Sequence, residues 1–311
     1  MEKRKLIIGT RGSKLALWQA NWVKSEIEKI QPSVEIELKT IKTTGDKILD
    51  VPLSKFGGKG LFVKEIEESL LCGESDLAVH SMKDVPVEFP DGLHLAAILK
   101  REAPEDALIS LSGLKFMDLP TGAKIGTSSL RRACQLMNLR PDIEILQLRG
   151  NLDTRVRKLD EGQFDAIVVA AAGLNRLNMA ARITESLATS LCLPAIGQGA
   201  VGVECRTQDS VVNPIVAKLN HRDTEVCVLA ERALLKKLQG GCQVPIAAYA
   251  TLCGNGTLRL AALVGSVSGD RIIRGTKEGS VDDAEATGVA LALELLNKGA
   301  KEILDEVYEN G

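Results

Sequence analysis

Residues 124–171 read KIGTSSLRRACQLMNLRPDIEILQLRGNLDTRVRKLDEGQFDAIVVAA, and the periodicity of this stretch decides the fold class. Lys124–Gly126 is a short β-rich run that passes through Thr127-Ser128-Ser129 into an amphipathic helical pattern from about Leu130 to Leu139. Ile143–Leu148 reads as a second strand and Asn151–Leu159 as a second helix. Ala166–Ala171 is an unbroken apolar run, the pattern of a parallel strand covered on both faces. Alternation of this kind predicts α/β domains with mostly parallel, mixed sheets.

The same alternation extends towards the N-terminus. Leu6–Gly9 predicts a strand, Ser13–Ile30 a helix with Ser13 as N-cap, and Val34–Ile41 a strand. Leu61–Leu71 is a helical pattern, and Asp76–His80 a strand before a turn at Val85-Pro86. A break falls at Arg101–Pro104, and Pro194–Ala200 reads as a connection into a strand at Val201–Cys205. The last hundred residues differ. A helix at Asp223–Leu238 is broken by Gly240-Gly241-Cys242, and three runs follow, Val244–Leu252, Leu258–Val264 and Arg271–Gly275, with Gly/Asn turns. Helical patterns at Asp282–Asn297 and Ala300–Tyr308 complete a small α+β domain with an antiparallel sheet.

Composition sets bounds on function. A chain of 311 residues that is 45% hydrophobic supports two or three domains. A net charge of −2 argues against nucleic acid or an anionic membrane as partner, and 3% aromatic content argues against base stacking. The N-terminal apolar run is too short for a signal peptide, and no run is long enough to span a bilayer. The seven cysteines show no CxxC pair and no metal-ligand spacing, so no metal site is expected and the thiols read as free, in a reducing cytoplasm. Six are expected to be small buried residues. Cys242, on a Gly-Gly turn, is the one expected to be exposed and reactive. His80, His94 and His221 show no ligand spacing and read as structural or exposed.

The basic residues fall at strand ends. Arg11 follows the first strand, Arg131 and Arg132 open a helix, Arg149 ends a strand, Arg155 lies in the next helix, and Arg176 follows Ala166–Ala171. Ligands of open α/β sheets bind beyond the carboxyl ends of the strands, so these arginines are expected to converge on one anion-binding cleft. Cations gain nothing from a helix N-terminus. Arg131-Arg132 after Thr127-Ser128-Ser129 therefore suggests an anion held by hydroxyls, backbone N–H groups and guanidinium forks together. Gly57-Gly58-Lys59-Gly60 lacks the spacing of a phosphate-binding loop and reads as a loop before a helix, with Lys55, Lys59 and Phe62 as lid residues. Ser81-Met82-Lys83-Asp84 follows a strand end, where a carboxylate among arginines could accept N–H donors and stabilise a developing cation. On these residues alone a small-anion binding module on a two-lobed fold and a thiol enzyme using Cys242 both stay open. The absence of an evident His or Asn/Asp partner weakens the second.

Eight segments occur together in order: Gly9-Thr-Arg-Gly-Ser-Lys-Leu-Ala-Leu17, Gly57-Gly-Lys-Gly-Leu-Phe-Val-Lys-Glu65, Ala78-Val-His-Ser-Met-Lys-Asp-Val-Pro86, Gly126-Thr-Ser-Ser-Leu-Arg-Arg132, Leu148-Arg-Gly-Asn151 with Thr154-Arg155, Ala170-Ala-Ala-Gly-Leu174, Pro194-Ala-Ile-Gly-Gln-Gly-Ala200 and Gly240-Gly-Cys-Gln-Val-Pro-Ile246. Through them the chain resembles the hydroxymethylbilane synthase (porphobilinogen deaminase) family along essentially its whole length. One departure is Gln239, where many members carry an acidic residue.

The resemblance implies two periplasmic-binding-protein-like lobes, residues 1–99 with 200–217 and residues 100–199, and a cofactor-attachment domain at 218–311. It implies a transferase of tetrapyrrole (haem, porphyrin) biosynthesis that joins four porphobilinogen molecules head to tail with loss of ammonia. The primer would be dipyrromethane, held by a thioether to Cys242, and hydrolysis would free hydroxymethylbilane. Asp84 would be the catalytic carboxylate, holding pyrrole N–H groups. The acetates and propionates would be met by Arg11, Ser13, Ser81, Lys83, Thr127, Ser128, Ser129, Arg131, Arg132, Arg149, Gly150, Arg155, Gly173, Arg176 and Gln198. The resemblance also implies a cytoplasmic monomer that binds neither nucleic acid nor membrane and hands its product to a uroporphyrinogen III synthase.

Overall fold

The computed structural model describes residues 4–47, 63–239 and 244–309. Cys242 and the lid residues Lys55, Lys59 and Phe62 lie outside these residues. The chain runs β1 (Arg4–Arg11), α1 (Lys14–Ile30), β2 (Val34–Ile41), α2 (Thr44–Lys47), α3 (Lys64–Leu71), β3 (Leu77–Ser81) and β4 (Leu93–Ile98). It continues with β5 (Asp106–Ser110), β6 (Lys124–Gly126), α4 (Leu130–Leu139), β7 (Glu144–Leu146), α5 (Leu152–Asp160), β8 (Ala166–Ala170), α6 (Ala171–Arg176) and β9 (Glu185–Leu187). Then come β10 (Val201–Arg206), α7 (Val212–Val216), α8 (Arg222–Lys237), β11 (Ile246–Gly254), β12 (Thr257–Gly265), β13 (Ile272–Ser280), α9 (Ala284–Leu295) and α10 (Lys301–Glu309).

Two five-stranded mixed sheets share one topology. Their orders are β2-β1-β3-β10-β4 and β7-β6-β8-β5-β9. In each, the first three strands are parallel, and the fourth strand enters antiparallel to both its neighbours. These are the two binding-protein-like lobes. The third sheet, β11-β12-β13, is antiparallel throughout. Contacts divide the chain into two compact units, one with residues 57–102 and 200–225 beside the N-terminal segment, the other with 103–199 and 226–311.

In the first unit, Ser13 caps α1, its Oγ accepting from the Ala16 N–H at 3.2 Å, as the sequence predicts. The buried stripe of α1, Gln19, Ala20, Val23 and Ile27, covers one face of the sheet, on which Leu77 and Val79 of β3 point. Ala78 points to the other face and meets Ile66 and Leu70 of α3. The two-residue period of β3 thus serves two apolar layers, and both faces of its strand are buried. In the second unit, Phe116, Ile125, Leu136, Ala166 and Val168 form the core on one side of the sheet, and Leu148, Val156, Leu159, Ile167 and Val169 that on the other. The β11-β12-β13 sheet packs on α9 and α10 through Leu258, Leu260, Leu291, Leu295 and Leu304. It meets α4 closely, since a Cβ at Gly265 would stand 2.9 Å from Cys134 Sγ, and Asn138 Nδ2 donates to the Gly269 carbonyl at 2.9 Å. No helix among the described residues is long and apolar enough to cross a membrane.

Four of the six described cysteines, Cys134, Cys192, Cys205 and Cys227, are buried as expected. Cys72 and Cys253 are exposed, against the expectation. Cys72 is the C-cap of α3 and Cys253 sits beside the hairpin turn at Gly254–Gly256, positions where the chain itself turns away from the core. Burial pushes the Cys134 thiol up to about 11 and the Cys192 thiol up to about 12, so neither is a thiolate at neutral pH.

Beneath α3 lies a buried polar group of three. His80 Nε2 and Glu204 Oε2 are 2.9 Å apart, with Glu204 fully buried. Burial, reinforced by the nearby charge of Glu204 and opposed by His80, pushes the Glu67 carboxyl up to about 7. A carboxyl raised in the folded state keeps a proton that the unfolded chain has lost, so stability falls as pH rises from about 4.5 to 7. Glu67→Gln is expected to flatten that slope, read as the urea midpoint measured from pH 5 to pH 8. An unchanged slope would mean that the Glu67 side chain is not held as described.

Candidate active site

Asp84 ends a single 3-10 turn, Met82–Asp84, directly after β3, and Arg11 ends β1, which lies beside β3 in parallel. Both therefore sit at the carboxyl ends of neighbouring parallel strands, where α/β sheets present ligand-binding groups. They line one open hollow together with Ser13, Gln19, His80 and Ser81. Gln19 was not singled out in the sequence. It is buried on the apolar stripe of α1, and its Nε2 is 2.8 Å from Ser81 Oγ. A lone amide on a buried helical stripe was the available signal. Lys83, between Met82 and Asp84, is half-buried.

In the second unit the corresponding carboxyl ends carry the other predicted residues. Asp106, the first residue of β5, is fully buried and gathers them. Arg131 Nη1 donates to its Oδ2 at 2.6 Å, Arg132 Nε to its Oδ1 at 2.9 Å, and Gln198 Nε2 to the same Oδ1 at 2.9 Å. Arg131 also donates to the Leu193 carbonyl at 2.9 Å, and Arg132 to the Val168 carbonyl at 3.2 Å. Burial opposes the charge on Asp106, but the two guanidinium groups outweigh it and hold the carboxyl far below the usual carboxylate range. The anion anticipated at the start of α4 is here a protein carboxylate. Two guanidinium groups face that one carboxylate, and Arg131 Nε, also buried, has no hydrogen-bond partner among the described residues. The group is thus one positive charge in excess.

The hydroxyls hold the backbone. Ser129 Oγ caps α4, accepting from Arg132 N, and Thr127 Oγ1 accepts from Ser129 N at 3.2 Å. Ser128 Oγ donates to the Leu148 carbonyl at 2.8 Å and so ties the end of β6 to the segment after β7. Arg149 is half-buried there. Gly150 has φ +111, and a Cβ on it would stand 2.7 Å from Thr154 Cγ2, so only glycine fits. Its carbonyl accepts from Arg155 Nε at 2.8 Å. Arg176 lies in the last turn of α6, donates to the Gly199 carbonyl at 2.8 Å, and is buried, as is Gly173.

A family profile described as "Porphobilinogen deaminase, dipyromethane cofactor binding domain" matches residues 6–214, and one for the porphobilinogen deaminase C-terminal domain matches residues 225–297. The chain belongs to the porphobilinogen deaminase family. Porphobilinogen deaminases from Pelobacter propionicus and Geobacter metallireducens are 56% and 57% identical to it over 309 residues, covering 99% of this chain and 99% and 96% of theirs. Among solved structures, the substrate-binding domain of a putative molybdenum ABC transporter from Clostridium difficile aligns over 70% of this chain and 91% of its own, at 9% identity and a TM-score of 0.43. A TRAP periplasmic solute-binding protein from Desulfovibrio salexigens aligns over 72% of this chain and 74% of its own, at 11% and 0.42. At such scores these likenesses add nothing to the sheet topology, which stands by itself. For a porphobilinogen deaminase chain, the residue that the sequence missed and the second unit most depends on is Asp106. Its strand, β5, is a short run without periodicity, and nothing local marks its carboxylate as buried.

Removing that carboxylate leaves two buried cations unpaired. Asp106→Ala is expected to destabilise the protein by about 3–5 kcal/mol, as for other broken buried pairs, measured by urea unfolding at pH 7. A carboxyl depressed in the folded state loses its contribution only as pH falls through the lowered value, so this difference is expected to stay constant from pH 8 down to pH 5.

Proposed function

We propose that this chain is a hydroxymethylbilane synthase that condenses four porphobilinogen molecules on a dipyrromethane primer attached to Cys242. The observation that carries the chemistry is the hollow in which Asp84 and Arg11 stand together, a carboxylate beside a guanidinium at the ends of parallel strands. The buried cationic excess around Asp106 suits a primer and product rich in carboxylates, because a charge taken out of water needs an opposite one. When bound, dipyrromethane supplies the free pyrrole α-carbon to which each new ring is joined.

The protein's own residues then have separable roles. Arg11, Arg149, Arg155 and Arg176, with Arg131 and Arg132, meet acetate and propionate groups, for which planar guanidinium forks are better suited than ammonium groups. Ser13, Ser81, Lys83, Thr127, Ser128, Ser129 and Gln198 shape or supplement those contacts, and Gly150 and Gly173 give the backbone room. Asp84 accepts pyrrole N–H donors and stabilises the cation that develops as the aminomethyl C–N bond breaks. Arg11 is too basic to serve as the acid for the leaving ammonia and acts by charge.

We further infer three domains, 1–99 with 200–217, 100–199 and 218–311, supported by three separate sheets. A cytoplasmic monomer that passes its product to a uroporphyrinogen III synthase fits this reading and the free thiols of the described cysteines.

Intact mass of the purified protein beside a Cys242→Ser variant tests the primer. The wild type is expected to carry the extra mass of one dipyrromethane and the variant none. A wild type that takes up no pyrrole even with porphobilinogen, yet binds a dicarboxylate, would favour the anion-binding module instead. Asp84→Asn is expected to keep the primer and lower kcat about a hundredfold or more, as loss of an electrostatic stabiliser does. Normal turnover in Asp84→Glu would remove Asp84 from the key role.

A further inference from the structure

The buried polar group beneath α3 reaches the hollow through one of its members. Gly9 of β1 pairs with Ala78 of β3, and two residues further along each strand stand Arg11 and His80, on one face of the sheet. On the other side of β3, Glu204 of β10 pairs with Ala78 and shares that face, the one that α3 covers. His80 and Val63, the residue before α3, line the hollow with Arg11 and Asp84. All of these residues belong to the first unit. His80 is only 5% exposed, and its Nε2 lies 2.9 Å from Glu204 Oε2. Glu204 is fully buried, and its other oxygen, Oε1, has no hydrogen-bond partner among the described residues. Its charge is felt at Glu67, whose carboxyl is pushed up to about 7 by burial first and by Glu204 second. Such a carboxylate orients the imidazole: it accepts the Nε2 proton, and the ring lone pair is then on Nδ1. A base held by a hydrogen bond to an orienting carboxylate is a recurring arrangement of side chains that move protons.

We propose that His80 is a further catalytic residue, the base that takes the proton released each time two rings are joined, with Glu204 as the positioning residue behind it. The inference rests on the reading of the chain as a hydroxymethylbilane synthase. Porphobilinogen enters as an ammonium ion. Its C–N bond breaks, the electron pair leaves with the nitrogen as ammonia, and the methylene is left electron-poor. The α-carbon of the terminal pyrrole gives a pair to that methylene and the C–C bond forms. The α-carbon then loses its proton, and the C–H pair returns to the ring. In the hollow, the Arg11 guanidinium has no lone pair to offer, and Asp84 is occupied by the pyrrole N–H groups. Imidazole is the side chain whose ordinary titration lies nearest neutrality, which suits it to accept a proton and give it up again. His80 takes the proton on Nδ1, and the charge of Glu204 stabilises the imidazolium. The released ammonia then removes that proton and leaves as ammonium, so the ring is ready for the next addition.

The test uses full-length holoenzyme, its primer verified by intact mass, and porphobilinogen carrying deuterium at the free α-carbon. The first addition releases the primer's own hydrogen, whereas later additions release deuterium, and intact mass resolves them. His80→Gln, whose amide can still donate to Glu204, is expected to lower kcat about a hundredfold or more. On the later additions it is expected to show a larger deuterium isotope effect than wild type, with none on the first. Glu204→Gln keeps the ring without the charge behind it and is expected to fall between the two in both readouts. A variant purified without primer is followed through loading instead, in which the second porphobilinogen joins the α-carbon of the first and the same isotope effect is expected. Turnover of His80→Gln within a few-fold of wild type would overturn the proposal and leave the proton to ammonia or Asp84. So would a slow variant whose isotope effect equals that of wild type, because His80 would then serve the fold alone. A wild type that consumes no porphobilinogen would instead overturn the underlying reading.

Discussion

The carboxylate of Asp106 is the constraint on which the second lobe is organised. It is fully buried, yet it stays ionised because two guanidinium groups surround it. Each partner comes from a different part of the chain: Asp106 from β5, Arg131 and Arg132 from the first turn of α4, and Gln198 from the segment that leads into β10. A buried ion pair of this kind is weak evidence for net stability, since apolar residues could often replace it. Its consequence is geometric. Both guanidinium planes are held by the one carboxylate and by the carbonyls of Leu193 and Val168.

The sheet topology explains how that constraint comes about. In each lobe the fourth strand runs against its neighbours: β10 in the first sheet, β5 in the second. The antiparallel entry of β5 puts its first residue beside Ala170, at the carboxyl end of β8. Asp106 therefore lies at the same edge of the sheet as the start of α4, and Arg131 and Arg132 can reach it. In the first lobe the equivalent edge holds Arg11 at the end of β1 and Asp84 after β3. One architecture used twice thus yields two arrangements, a guanidinium beside a half-buried carboxylate in one and a cationic excess around a buried one in the other.

Much of the fold was legible because periodicity is a local property. The parallel strands β1, β2, β3, β6 and β8 and the helices α1, α4, α5 and α8 all match the patterned runs to within two residues at either end, and the capping role of Ser13 follows from its position before an apolar stripe. Strands β4, β5 and β9 did not stand out. Each is short and carries no distinctive alternation, and each is held by neighbours far away in sequence, such as the pairing of Asp106 with Ala170. The exposure of Cys72 and Cys253 was misjudged for a related reason: composition says that cysteine is usually buried, while a helix end and a hairpin turn place these two outside.

The sequence by itself determined which residues bear charge, where strands give way to helices, and, through the order of its motifs, the family. Those are properties of neighbouring residues and of their succession. Only the tertiary structure decided what the charges do. It showed Arg131 and Arg132 spent largely on Asp106, the hydroxyls of Ser128 and Ser129 spent on backbone groups, Gln19 bound to Ser81, and Tyr308 bound to the carbonyl of Gln239. The physical reason is that a hydrogen bond or ion pair depends on distance in space. For Asp106 and Gln198, or Gln239 and Tyr308, the separation along the chain carries no trace of that distance.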